Sequence, residues 1–161
     1  MSLELAQALP AGTLYRRGEN GLEENSTASL FAGRTVVVFA VPGAFTPTCS
    51  DEHLPGFIVN ADALKAAGVD EIVCLAVNDP FVMRAWAQQH AGTETISFLS
   101  DGNGDWTTLL GMQRDMRKAA MGMRSKRYAM LVNDGVLTWL GVDESGLANS
   151  RAEAVLAALN A

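Results

Sequence analysis

Cys49 lies in the run Val41-Pro42-Gly43-Ala44-Phe45-Thr46-Pro47-Thr48-Cys49-Ser50-Asp51-Glu52-His53, where an apolar strand stops at a proline loop and a helix begins. Thr46 is a suitable helix N-cap, and Pro47 suits the first helical position because an N–H there has no intrahelical partner to lose. Cys49 then falls at the third helical position, the usual seat of a capping carboxylate. A thiolate at that place is surrounded by unpaired backbone N–H donors and the positive end of the helix dipole, and both favour S⁻ over SH. The expected chemistry is that of a nucleophilic cysteine ionised near neutral pH. Asp51 and Glu52 oppose this if they face the sulfur, so a cation from elsewhere in the chain is wanted. Arg124, Lys126 and Arg127 all precede one apolar strand, and their spacing alone does not choose among them. His53, four residues after Cys49, shares its helical face; support of the thiolate and a purely structural role are equally open.

The elements around these residues must position them. Thr35 to Val41 is too continuously apolar for a half-exposed strand and reads as a central one buried on both faces. Leu54, Phe57, Ile58, Ala61, Leu64 and Ala67 recur at helical spacing up to Gly68, which predicts one long amphipathic helix after Cys49 with a kink at Pro55. Glu71 to Asn78 repeats the buried-strand signature, and Asp79-Pro80 caps and opens a helix through Trp86 to Ala91. Strand, helix, strand, helix implies a parallel βαβ core. Ser26 or Thr27 starts a short helix to Gly33, Thr95 to Ser100 forms a strand, and Asp105 to Gly111 a short helix. Asn133-Asp134-Gly135 joins apolar runs Lys126–Val132 and Val136–Val142 into an antiparallel hairpin, and Ser150 to Leu159 is a final helix. The expected fold is α/β and thioredoxin-like: a central mixed sheet with helices on both faces, and a working site at the carboxyl ends of its strands.

Composition narrows the function. At 161 residues, 48% of them hydrophobic, the chain suits a single domain over 1–161. A net charge of −6 argues against nucleic-acid binding, Arg124-Ser125-Lys126-Arg127 being too short a basic run. No apolar window of membrane-spanning length exists, and the N-terminal segment lacks a basic leader, so a cytoplasmic protein without a membrane partner is expected. Two cysteines make no disulfide framework, which fits a reducing compartment.

Pro42, Thr46 and Cys49 match the Pro-x-x-x-Thr/Ser-x-x-Cys signature of peroxiredoxins. With His53-Leu54-Pro55-Gly56-Phe57, Val73-Cys74-Leu75, Val77-Asn78-Asp79, Lys126-Arg127-Tyr128 and Asp134-Gly135, the chain resembles the type-II, or type-five, branch, over most of its length. The resemblance implies a thiol peroxidase acting on hydrogen peroxide and alkyl hydroperoxides. In it Cys49 would attack the terminal peroxide oxygen and become a sulfenic acid. The family's donors to the reacting oxygens carry over as the Thr46 hydroxyl, the amides near Cys49, and Arg127, while Pro42 would shield the sulfur. Some members of the branch have a resolving cysteine near the C-terminus, where this chain has Asn149. That departure implies a one-cysteine cycle reduced by an external thiol, glutathione with glutaredoxin or thioredoxin. A homodimer is implied as well, and no cofactor.

Cys74, between Val73 and Leu75, reads as a core residue rather than a resolving thiol. Cys49 and His53 resemble half a metal site, but only Cys74 and His90 remain as soft ligands, and no metal is expected. The methionines, and Phe81, Trp86 and Trp106, read as core or interface filler. A thiol-disulfide oxidoreductase is a competing reading, disfavoured because no Cys-x-x-Cys exists, as is a redox-sensing or holdase protein on the same fold.

Overall fold

The computed structural model describes residues 3–161, so the N-terminal reading at residues 1–2 lies outside it. A hairpin of β1 (Thr13–Gly18) and β2 (Gly21–Ser26) leads into helix α1 (Thr27–Phe31). Strand β3 (Thr35–Val41), helix α2 (Leu54–Ala66), strand β4 (Glu71–Ala76), helix α3 (Pro80–Gln88) and strand β5 (Ser97–Ser100) form the parallel core. Helix α4 (Asp105–Leu109), the short pair β6 (Gln113–Asp115) and β7 (Met123–Ser125), the hairpin β8 (Arg127–Asn133) and β9 (Val136–Asp143), and helix α5 (Ala152–Leu159) complete the chain. The main sheet runs β2-β1-β5-β4-β3-β8-β9, with β3 parallel to β4 and antiparallel to β8. The thioredoxin-like α/β expectation holds.

Period-2 alternation explains why β3 has no polar face. Val37, Phe39 and Val41 enter one core with Leu54, Phe57 and Leu64 of α2, Trp86 of α3 and Val155 of α5. Val36, Val38 and Ala40 enter the other, with Phe31 of α1 and Trp106 of α4. Helices therefore cover both faces. Local chemistry sets the ends: the Ser26 hydroxyl accepts from the Ser29 N–H at α1, and the Asp79 carboxylate from the Val82 N–H at α3. Asp134 (φ 49°) and Gly135 (φ 79°) both adopt the left-handed region that the tight β8–β9 turn requires.

The β1–β2 hairpin is an element that periodicity does not predict. Its strand β2 is a largely exposed edge, so Gly21-Leu22-Glu23-Glu24-Asn25-Ser26 carries no hydrophobic alternation. Trp86 and Trp106 are core residues, whereas Phe81 is 63% exposed. Among the methionines, Met83, Met112 and Met130 are buried and Met123 is exposed.

Candidate active site

The loop after β3 sits at the strand's carboxyl end. Ala44 N–H donates to Asn78 Oδ1 at 2.9 Å, tying this loop to the one that follows β4. Phe45 takes φ 67°, a left-handed conformation that a bulky side chain adopts only when its surroundings enforce it. The helix opens at Pro47, and its first i→i−4 bond runs from Ser50 N–H to the Thr46 carbonyl at 2.9 Å. Thr46 is thus the N-cap by position, but its hydroxyl does not cap. It donates instead to the Gly43 carbonyl at 2.6 Å.

The predicted unbroken helix with a kink at Pro55 is corrected by the structure. Cys49–His53 forms a π turn, closed by Leu54 N–H on the Cys49 carbonyl, before α2 begins. Pro55 has no N–H to give the Asp51 carbonyl and its ring would press on it, so the backbone widens one turn earlier. Asp51 and Glu52 are exposed, turned away from the buried sulfur.

Arg127 is the cation that reaches Cys49. It opens β8 on the same face as Ala129 and Leu131, and is 7% exposed. Its Nη2 donates to Cys49 Sγ at 3.1 Å and its Nη1 to His53 Nδ1 at 3.0 Å. Lys126 instead approaches Glu144 at the surface, and Arg124 donates to the Met121 carbonyl. The His53 ring lies 5.2 Å from Phe39 and 5.6 Å from Phe57, and its Nε2 is 2.9 Å from the Ser150 carbonyl. Nε2 therefore carries the proton and Nδ1 the lone pair. Burial, with the Arg127 charge adding to it against the Ser150 bond, lowers the His53 pKa to about 4, so the ring is neutral at physiological pH.

Pro42, Thr46, Pro47, Thr48 and Arg127 line a hollow of about 350 Å³ together with Arg114, Met116, Met121, Asp143, Ser145 and Gly146. Cys74 is also fully buried, in β4, and its thiol is pushed well up by burial and by Cys49. Neither cysteine is in a disulfide. Among the described residues, no group of three or more His, Cys, Asp or Glu could hold a metal, and no helix is long and apolar enough to cross a membrane. Asp143 went unread in the sequence, while Asn78 entered only through the resemblance and Ser150 only as a helix start, with no place in the site. The signal that could have placed Asp143 and Ser150 there is Asp143 at a strand end followed by Ser145-Gly146 and Asn149-Ser150, residues that fold a loop onto a carboxylate.

A buried sulfur met by a guanidinium at the carboxyl end of a parallel strand defines a thiol-based redox protein on the thioredoxin-like fold. The chain belongs to the Redoxin family, whose model matches residues 5–156, and within it to the peroxiredoxins, thiol-dependent peroxidases. It is 44% identical over 159 residues to Peroxiredoxin-2B of Arabidopsis thaliana, covering 98% of each chain, which accords with the type-II resemblance. It is similar to the crystal structure of reduced Prx3 from Vibrio vulnificus in complex with hydrogen peroxide, with a TM-score of 0.94, 47% identity, and 98% and 99% of the two chains covered. Against oxidised Prx3 of the same organism the TM-score is 0.88 at 46% identity, over 97% and 99% of the chains.

Proposed function

We propose that Cys49 is the peroxidatic nucleophile of a one-cysteine cycle in which Arg127 and Thr46 orient the hydroperoxide and an external thiol restores the enzyme. The observation that carries this reading is the contact of Arg127 Nη2 with Cys49 Sγ, which places a fixed cation where charge leaves the sulfur. The Cys49 thiolate donates an electron pair to the terminal oxygen of ROOH. The S–O bond forms as the O–O bond breaks, giving a sulfenic acid and an alkoxide that takes a proton to leave as alcohol, or water from hydrogen peroxide. With its own proton on the Gly43 carbonyl, the Thr46 hydroxyl presents lone pairs that accept the peroxide O–H, a role opposite to the donor expected from the family pattern. The N–H groups of Thr48 and Cys49 precede the first helical bond and supply donors. Pro42 lines the hollow and limits water at the sulfur.

The one-cysteine reading is supported by Cys74, whose buried, protonated thiol is a poor nucleophile, and by Asn149, which carries no sulfur. Glutathione with glutaredoxin, or thioredoxin, is the reductant we favour, in a reducing cytosol. We favour a homodimer as well, through exposed Phe45 and Phe81; the Ala44–Asn78 bond ties the Phe45 loop to the segment that leads into α3, where Phe81 lies. Intact mass after one equivalent of peroxide tests the cycle. The expected product is a single added oxygen on Cys49, lost with glutathione through a mixed disulfide and absent from Cys49→Ser. A rapid Cys49–Cys74 bond in native protein, or turnover by Cys49→Ser, refutes the cycle.

A further inference from the structure

Asp143 and Arg127 are opposite one another in the β8–β9 register, yet they do not pair. The Asp143 carboxylate, 4% exposed, turns instead to the loop that follows β9. Its Oδ1 accepts the Asn149 N–H at 2.9 Å, and its Oδ2 accepts the Ala148 N–H at 3.1 Å, the Ser150 N–H at 2.9 Å and the Ser150 hydroxyl at 2.7 Å. Four bonds on one buried carboxylate fix the loop from both sides. Gly141 lets that loop lie directly on β9, since a Cβ there would meet the Asn149 carbonyl.

What the loop delivers is the Ser150 carbonyl, and that oxygen decides the state of His53. By accepting the Nε2 proton it leaves Nδ1 as a lone pair, which receives Arg127 Nη1. Were the carbonyl displaced, the proton could move to Nδ1, and an N–H would then face the N–H of a guanidinium. Two donors cannot bond, and Arg127 would turn away from both His53 and the sulfur. We propose that Asp143 is a positioning residue for the peroxidase reaction, acting through the Ser150 carbonyl and the His53 tautomer on the guanidinium that contacts Cys49. The inference rests on the assignment of Cys49 and Arg127 as the reacting pair. Asp143 also borders the hollow that Thr46 and Arg127 line.

Asp143→Asn replaces one carboxylate oxygen by an NH2 group, which at the Oδ2 place confronts the Ala148 and Ser150 N–H groups and at the Oδ1 place that of Asn149, without changing volume. Stopped-flow oxidation of the reduced full-length protein by hydrogen peroxide is expected to slow by about 10- to 100-fold, as misplaced catalytic groups do. Alkylation of Cys49 by iodoacetamide, which feels the loss of the guanidinium beside the thiolate but needs no donor on a peroxide oxygen, is expected to slow by a smaller factor than the peroxide reaction. In a His53→Ala background the Asp143→Asn effect should vanish, because contributions along one relay are not additive. A folded Asp143→Asn enzyme with the parent's peroxide rate overturns the proposal, as does an effect undiminished by His53→Ala or one equal in both reactions. If Asp143→Asn does not fold, Ser150→Ala removes only the hydroxyl bond and decides by the same cycle. An unaltered peroxide rate in it then counts against the relay. Failure of the Cys49 assignment is distinguished beforehand, since Cys49→Ser would then still consume peroxide.

Discussion

Replacing Arg127 by glutamine should uncouple the nucleophile from its reaction. The guanidinium nitrogen lies 3.1 Å from the sulfur, which at an effective dielectric near 20 corresponds to roughly 5 kcal/mol of gross attraction to a thiolate. Much of that offsets the cost of removing both charges from water, and only the share that grows as charge passes to oxygen accelerates the step. One preorganised donor aimed at developing charge contributes about 3–4 kcal/mol, so Arg127→Gln should lower the second-order rate with hydrogen peroxide by about 10²- to 10³-fold. Arg127→Lys should fail to restore it. The sulfur and His53 Nδ1 are served by different guanidinium nitrogens, and a single ammonium cannot serve both. Stopped-flow tryptophan fluorescence on the reduced protein measures the rate, and near-UV circular dichroism confirms the fold. Folded Arg127→Gln reacting within about three-fold of the parent would refute the reasoning, because one donor at this distance should then matter little.

His53 titrates near 4 in the folded protein against 6.5 unfolded, so the unfolded chain binds its proton first. Its contribution is present in full above about pH 6.5 and is lost as pH falls toward 4, a decline of at most about 3 kcal/mol. Urea unfolding at about pH 7 and about pH 4.5 should show a smaller pH dependence in His53→Gln, and equal dependence in both proteins would contradict the burial argument. Cys74→Ala should keep the peroxide rate and turnover with an external thiol, at a stability cost of about 1 kcal/mol for a small buried truncation; loss of turnover would make Cys74 a participant. At the far face, a Cβ on Gly12 would stand 2.5 Å from Trp106 Cδ1, a ring anchored by its own bond to the Pro10 carbonyl. Gly12→Ala should therefore destabilise the protein by about 1–3 kcal/mol, read by thermal unfolding, with the Cys49 chemistry intact.

The parallel core was legible in the sequence because β3 and β4 are buried on both faces. Burial on both faces removes polar alternation and leaves runs such as Val36-Val37-Val38-Phe39-Ala40-Val41 that no exposed element shows. The β1–β2 hairpin was not, for the converse reason: an exposed edge strand has no face that must be apolar, so Glu23 and Glu24 sit where a core strand would carry valine. The π turn at Cys49–His53 was half legible. Pro55 announces that the ladder must yield, but whether it yields at the proline or one turn before depends on how α2 packs, and Leu54 and Phe57 are both fully buried.

The choice of Arg127 over Lys126 and Arg124 shows where more could have been read. Once Lys126–Val132 is accepted as a buried strand, alternate residues belong to alternate cores. Arg127, Ala129 and Leu131 share one side, and Lys126, Tyr128, Met130 and Val132 the other. Val37, Phe39 and Val41 of β3 point to the same core as Arg127, and that strand leads into the Cys49 loop. Parity alone thus sends Arg127 beneath the helix that carries the sulfur, and leaves Lys126 on the face away from it. The remaining relay was out of reach of such reasoning. It depends on a carbonyl, Ser150 O, whose direction is set by how a loop wraps the Asp143 carboxylate, and no side-chain pattern encodes where a backbone oxygen will point. A site assembled from side-chain identities can be anticipated by period and register. The part that fixes a histidine tautomer through main-chain geometry emerges only from the folded loop.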